Sequence, residues 1–358
     1  MNMIKIALVS SYTLPFYCGN SILVERLREG LTNRGYDVAI FNATKDDPHL
    51  GVKFSPDIVH SFNASRPYEW MCYFRKNLSA PWIITLTGTD YNTWCNIAEP
   101  AAHIKESLIS ADTLLVFHDE ALRSLCTSLP QIRSKISVVK QGVACLKTAH
   151  DTISVREKHG IDPDQTLFLM VSGIRPVKNI GCALKAFFEL ERETPNIKLL
   201  LAGPIIDREE ADRVLKLGKQ LSCFSYLGEL PYPEVRALMK ASNVFLNTSL
   251  HEGMSGAMLE AMVEGLPVLA SSTTGNRSLV HDSLNGLLFP VNEHQSLAQA
   301  AMKLIFDLSL REKMGKASKD LVVRNHSQAK ELDHYENIYR QVLHKEYNTN
   351  SGFASYTC

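Results

Sequence analysis

NVFLNTSLHEGMSGAMLEAMVEGLPVLA, residues Asn243 to Ala270, is the stretch on which the reading of this chain turns. Asn243 to Thr248 is a short apolar run, His251 to Gly256 cannot extend it, and Ala257 to Glu264 is rich in helix formers. Gly265 and Pro267 then stop the helix, and a second apolar run follows. The predicted order is strand, polar loop, helix, strand, the repeating unit of a parallel sheet. Glu252 lies in the loop, and Glu260 lies on the helix with a side chain that leans back toward the helix N-terminus. Between them the N–H groups of Met254, Ser255 and Gly256 are expected to be the unpaired donors of a helix start, and Gly253 and Gly256 let a ligand come close. A phosphate on that helix end, with hydroxyls hydrogen-bonded to a carboxylate on either side, is what a sugar nucleotide would require. Spacing alone leaves a plainer alternative, because a loop Glu is usually solvated and a Glu early in a helix is usually an exposed helix former.

Glu252 to Ala270 resembles the E-x7-E signature of retaining GT-B glycosyltransferases of family 4, the glycosyltransferase group 1, usually written EGFGxxxLEAMAxGxPVVA. Its departures are Met254 for the usual Phe and Ser255 for the usual Gly. The resemblance implies that the first carboxylate, Glu252, contacts the donor sugar and that the second, Glu260, binds the ribose hydroxyls.

A length of 358 residues with 45% hydrophobic content suffices for two ordinary domain cores. Lys and Arg number 38 against 38 Asp and Glu, so no net field recruits nucleic acid or an anionic membrane. Eight cysteines show no C-x2-C pair and no metal spacing with His, and they read as thiols of a reducing cytoplasm. MNMIKIALVSS has too short an apolar run for a signal peptide and reads as a first buried strand. No apolar run of about 18 residues is present, so a soluble, cytoplasmic protein is expected, with peripheral membrane contact left open.

Outward from the central stretch, short apolar runs alternate with helical stretches through the whole chain. In the first half the predicted strands are Ile4–Val9, Tyr36–Phe41, Asp57–Ser61, Trp82–Leu86, Thr113–Phe117 and Ile136–Val139. In the second half they are Leu167–Val171, Lys198–Ala202, Phe224–Leu227, Asn243–Leu246, Pro267–Ala270 and Gly286–Phe289. The pattern predicts two doubly wound, Rossmann-like α/β domains. The expected division is 1–150, 151–328, a bracing C-terminal helix over 329–347, and a frayed tail over 348–358. The polar stretch Lys147 to Ser154 is the expected linker. Open α/β sheets bind ligands at the carboxyl ends of their strands, so a GT-B pair is expected to place its ligands in a cleft between domains.

Other motifs supply candidates for that cleft. In SSYTLPFYCGNS, residues 10–21, Gly19 stands where family members often carry a Gly-Gly pair near the donor phosphate, although Gly19 as a turn residue and Asn20 as a helix cap is an equal alternative. IITLTGTD, residues 83–90, resembles the family's TxHGTD with Thr87 in place of His, leaving Gly88 and Asp90 as cleft candidates or Asp90 as a cap. SGIRPVKN, residues 172–179, resembles GRLxxxKG, and Arg175 and Lys178 would neutralise the charge that grows on a departing diphosphate. Arg grips phosphate oxygens with two donors, and Lys acts as a point charge. In YLGEL, residues 226–230, Leu230 is the residue assigned to the base by resemblance. TGNRSLV, residues 274–280, replaces GGxPEVV, and its Gly275-Asn276 pair resembles the glycosyltransferase-1-domain-containing proteins of animals and the selenosugar synthases.

The expectation is therefore a retaining GT-B glycosyltransferase using a nucleotide-sugar, most simply a UDP-sugar, as co-substrate, with no further cofactor and no metal. Arg175, Lys178 and Glu252 are its expected catalytic residues. Gly19, Arg175, Lys178, Leu230, Glu252, Met254, Ser255, Gly256 and Glu260 are its expected donor-binding set. Transfer to a sulfur or selenium acceptor, sugar-nucleotide epimerisation and nucleotide-sugar binding without turnover are the alternatives. Donor sugar, acceptor and oligomeric state are not legible in the sequence.

Overall fold

A computed structural model of the chain describes residues 3–88, 90, 101–144 and 152–351. The expected linker residues 147–151 and residues 91–100 lie outside them. The chain folds into two compact units, Met1–Gly142 with Gln328–Cys358, and Val143–Ser327. The first crossing therefore falls at Gly142/Val143, against an expected 150/151.

The first unit is a six-stranded parallel sheet of β1 (Lys5–Ser10), β2 (Asp37–Asn42), β3 (Ile58–Phe62), β4 (Trp82–Thr85), β5 (Thr113–Val116) and β6 (Ile136–Val138). Its order is β2-β1-β3-β4-β5-β6. The strand centres are apolar runs because helices cover both faces, and Ile6, Leu8, Ile83, Leu114 and Val116 are fully buried. The C-terminal helix Gln328–Ser351 belongs to this unit. Arg26 donates from Nη2 to both oxygens of the buried Glu331, at 2.9 and 3.0 Å. Arg34 pairs with Asp333 and Glu336 on the same helix. Beneath these pairs, His60 of β3 is enclosed between the Tyr339 hydroxyl at 2.8 Å and the Thr85 hydroxyl at 2.7 Å. Burial holds the His60 imidazole neutral, pushing its pKa down to about 3. The helix continues to Ser351, past the expected end at 347. Residues 352–358 lie outside the described part.

The second unit is also a six-stranded parallel sheet, built of β7 (Thr166–Val171), β8 (Ile197–Ala202), β9 (Phe224–Gly228), β10 (Val244–Asn247), β11 (Val268–Ser271) and β12 (Gly286–Phe289). Its order, β12-β11-β10-β7-β8-β9, is the doubly wound order in which two halves run outward from a central pair. The central pair is β7 and β10, in register at Val244 with Phe168 and at Phe245 with Leu169. The strand order reverses between them, so the loops after β7 and β10 leave the sheet on opposite sides of a crevice. Phe168, Leu199, Leu201, Leu246 and Leu269 form the core under that edge. Each predicted strand lies within a residue or two of the observed one. No described helix is long and apolar enough to cross a membrane.

Candidate functional site

The loop after β7, Ser172 to Asn179, tightens into a one-turn 3-10 helix at Pro176–Lys178 and then enters the helix Ile180–Glu193. Asn179 sits at φ 48° where the two helices join. The loop after β10 docks on this turn. Thr248 Oγ1 donates to Lys178 O at 2.8 Å, and Leu250 N–H donates to Val177 O at 2.9 Å. Two loops that start on adjacent strands are thereby fixed to each other at the point where a doubly wound sheet accepts ligands.

That docking brings Lys178 and Glu252 together, with Nζ 2.5 Å from Oε1. The same oxygen accepts from Ser249 Oγ at 2.7 Å and from Asn247 Nδ2 at 3.4 Å. Burial alone would raise the Glu252 carboxyl pKa, but the Lys178 charge and these three donors outweigh it and hold it below the usual carboxylate value. Oε1 is thus saturated, and among the described residues none hydrogen-bonds Oε2. Lys178 spends one of its three ammonium donors on this pair.

Glu252 leads into the helix Gly256–Val263, whose N-cap is Ser255 with its Oγ accepting from Met258 N–H at 3.3 Å. The N–H of Met258 is therefore used. Among the described residues, no acceptor takes the N–H groups of Met254, Ser255, Gly256 or Ala257. Four consecutive donors at a helix start form an anion-binding feature, one residue longer than the three expected. Arg175, the cap of the 3-10 turn, is half-buried, and its Nε is enclosed with no partner among the described residues. A buried guanidinium donor without an acceptor is costly unless a ligand supplies one.

Glu260 lies one turn into the helix and is 5% exposed, which sets aside the reading of an exposed helix former. The Tyr232 hydroxyl donates to its Oε1 at 3.1 Å and accepts from Arg236 Nη1 at 3.2 Å. Arg236 is wholly buried, pairs with Glu264, and donates to Ala144 O at 3.2 Å. Burial first, and the Glu260 charge second, push the Tyr232 phenol well above its usual pKa, so it stays a donor at any physiological pH. Leu230 stands half-buried just past β9, two residues before Tyr232.

Eight of the nine expected donor-binding residues thus belong to the second unit, and Gly19 belongs to the first. Gly19 opens the helix Gly19–Asn33; its φ is not positive, and an added Cβ would meet nothing within 4 Å. A turn requirement therefore does not account for it. Asn20 is not the cap, because Cys18 holds that position with its N–H donated to Ser21 Oγ at 2.9 Å. Asp90 is 2% exposed and ties its own loop to the one after β3, accepting from the N–H groups of Ala64, Thr87 and Gly88 at 3.1, 3.2 and 2.9 Å. Gly88, at φ 112°, supplies the backbone shape that this loop needs. Sequence reasoning missed Asn247, Ser249 and Tyr232, whose partners are set by the fold rather than by any motif. Among the described residues, no group of three acidic, His or Cys side chains is arranged to hold a metal ion.

Residues 151–321 match the family described as glycosyl transferases group 1. Over 351 residues the chain is 25% identical to glycosyltransferase 1 domain-containing protein 1 of Xenopus tropicalis, covering 94% of this chain and 97% of that one. Its fold is similar to that of sucrose-phosphate synthase from Thermosynechococcus elongatus, with a TM-score of 0.82 at 19% identity over 96% of this chain and 100% of the other. It is similar also to HepE of Anabaena in complex with UDP-glucose, with a TM-score of 0.80 at 14% identity over 94% of this chain and 100% of that one. The architecture is that of the GT-B glycosyltransferases.

Proposed function

We propose that the chain is a glycosyltransferase that transfers a sugar from a UDP-sugar with retention of anomeric configuration, a reading supported by the match of residues 151–321 to the glycosyl transferases group 1. The observation that carries this reading is the site after β7 and β10. There a charged Glu252 has one oxygen saturated and one open, beside four unpaired N–H donors and the orphaned Nε of Arg175. The N–H run and the two cations suit a diphosphate. The open oxygen of Glu252 suits a sugar hydroxyl. Glu260, held by Tyr232 on one side, suits the ribose. A uridine donor is favoured by the likeness to a protein whose structure holds UDP-glucose.

In the proposed reaction the bond between the sugar's anomeric carbon and the diphosphate breaks, and charge builds on the departing phosphate oxygen. Arg175, the two remaining donors of Lys178 and the N–H groups of residues 254–257 bind that charge more tightly as it grows, which lowers the barrier. The acceptor attacks from the face the phosphate leaves, and the same phosphate oxygen takes the acceptor's proton. No side chain serves as a covalent nucleophile, and the cations do the neutralising that a metal ion would otherwise do. Cytoplasmic location and action without a metal belong to the same proposal.

Calorimetric titration with UDP, ADP and GDP tests it. One nucleotide is expected to bind, and Glu260→Ala is expected to lose about 1 to 3 kcal/mol of that binding, the size of a hydrogen bond to a charged group. If no nucleotide binds at millimolar concentration, or Glu260→Ala binds as the wild type does, the donor site lies elsewhere.

A further inference from the structure

Gly275 and Asn276 touch none of the groups assigned to the donor, yet both press on the loop that carries Glu252. Asn276 is wholly buried. Its Nδ2 donates to Ser271 O at 2.9 Å, to Ser271 Oγ at 3.3 Å and to Asn247 Oδ1 at 3.3 Å. The Ser271 carbonyl can only accept, so the orientation of the Asn276 amide is fixed. Asn247 must then turn its oxygen toward Asn276, where that oxygen also takes the Ser249 N–H at 3.0 Å. Its Nδ2 is left facing Glu252 Oε1. A second branch runs from the Ser271 hydroxyl to Ser249 O at 2.6 Å, and from the Ser249 hydroxyl to Glu252 Oε1. Both branches begin at Asn276 and end on the same carboxylate oxygen.

Gly275 contributes closeness. A Cβ on it would lie 2.5 Å from Glu252 O and 2.6 Å from Gly253 O, and both are backbone atoms with no room to yield. Its φ is not positive, so contact rather than conformation requires glycine here. Asn276 Oδ1 is buried with no partner among the described residues. An orphaned carbonyl oxygen is a standing cost. A residue present for packing alone would not incur it, whereas a residue needed for its amino group would.

We propose that Gly275-Asn276 is a clamp that orients Glu252 from behind. Asn276 acts as a positioning residue through Asn247 and Ser249, so that Oε1 is held and Oε2 alone is presented to the donor sugar. This rests on the reading of Glu252 as the sugar-binding carboxylate. It assigns a task to a pair inside the stretch that stands in place of the family's GGxPEVV.

Two readouts test the clamp, and they fail separately. The first is the carboxyl titration of Glu252 in the ligand-free chain, followed by carbon NMR of labelled glutamate and assigned with Glu252→Gln. Asn276→Ala and Asn276→Asp are expected to raise its midpoint, the Asp variant further, because Asn247 then turns an oxygen toward the carboxylate. The second is binding. Asn276→Ala is expected to bind UDP-glucose about ten-fold more weakly while UDP binding shifts less than about two-fold, and adding Asn247→Ala should cost little more, since the two act in one chain. An unmoved Glu252 titration in both Asn276 variants overturns the clamp, whatever binds. A moved titration in a chain that binds no nucleotide keeps the clamp and removes the donor reading. Equal losses for UDP and UDP-glucose would make Asn276 a general structural residue and also overturn it.

Discussion

Glu252 and Asp90 pose the same question in the two units, each being a carboxylate just past the end of a parallel strand, and the fold answers it in opposite ways. Asp90 gives both oxygens to backbone N–H groups of its own neighbourhood, at Ala64, Thr87 and Gly88. It is a staple that shapes the loop after β4. Glu252 is held entirely by side chains, all on Oε1, and one of them is a cation. The lesson concerns donors more than burial. Backbone donors belong to the loop and are spent when the loop forms, whereas side-chain donors that converge on one oxygen leave the other aimed outward.

The largest effect that would break this comparison lies in turnover. Glu252→Gln keeps the shape, loses the charge, and is expected to lower UDP release from UDP-glucose about 100-fold or more, the scale of removing one fixed electrostatic group from an active site. Its thermal midpoint should stay within a few degrees of the wild type. Asp90→Ala should do the reverse, leaving UDP affinity unchanged while costing about 2 kcal/mol of stability in urea, because three buried N–H groups lose their acceptor. A stable Asp90→Ala protein that no longer binds UDP would turn the staple into a site and erase the distinction.

How far the sequence could see this difference follows from the range of each interaction. Strands such as Leu167–Val171 and Gly286–Phe289 were legible because a parallel strand buried on both faces needs an unbroken apolar run. The loop–helix turn at Ser255 was legible because caps and glycines act locally. Lys178 and Glu252 lie 74 positions apart and were assigned to one site only through motif resemblance, and their ion pair was not foreseen. Tyr232 with Glu260, 28 apart, and Asn276 with Asn247, 29 apart, had no such guide. Their meeting depends on which strands neighbour which, and an alternation of apolar runs does not encode that order. Asp90 stayed open between cap and cleft residue for the same reason. Its partners include Ala64, from the loop after the adjacent strand β3, an adjacency that the run of apolar segments does not encode.

The finest test of the contrast is one of sign. Glu252 titrates below its ordinary value because Lys178 and the converging donors outweigh burial. Asp90 titrates above its ordinary value because burial outweighs the N–H groups of Gly88, Thr87 and Ala64. Between the lowered pKa of Glu252 and the unfolded value of about 4.3, the unfolded chain holds more protons, so the Glu252 contribution to stability is full above that window and is lost as pH falls through it. Between the unfolded value of about 3.9 and the raised pKa of Asp90, the folded chain holds more protons, so the Asp90 contribution shrinks as pH rises through that window. Urea unfolding of the wild type, Glu252→Gln and Asp90→Asn across this range should therefore give difference curves of opposite slope. The wild-type advantage over Glu252→Gln grows with pH, and that over Asp90→Asn declines. Two slopes of one sign would mean that the carboxylates are held in the same way, and that converging side chains do not set a binding carboxylate apart from a structural one in this chain.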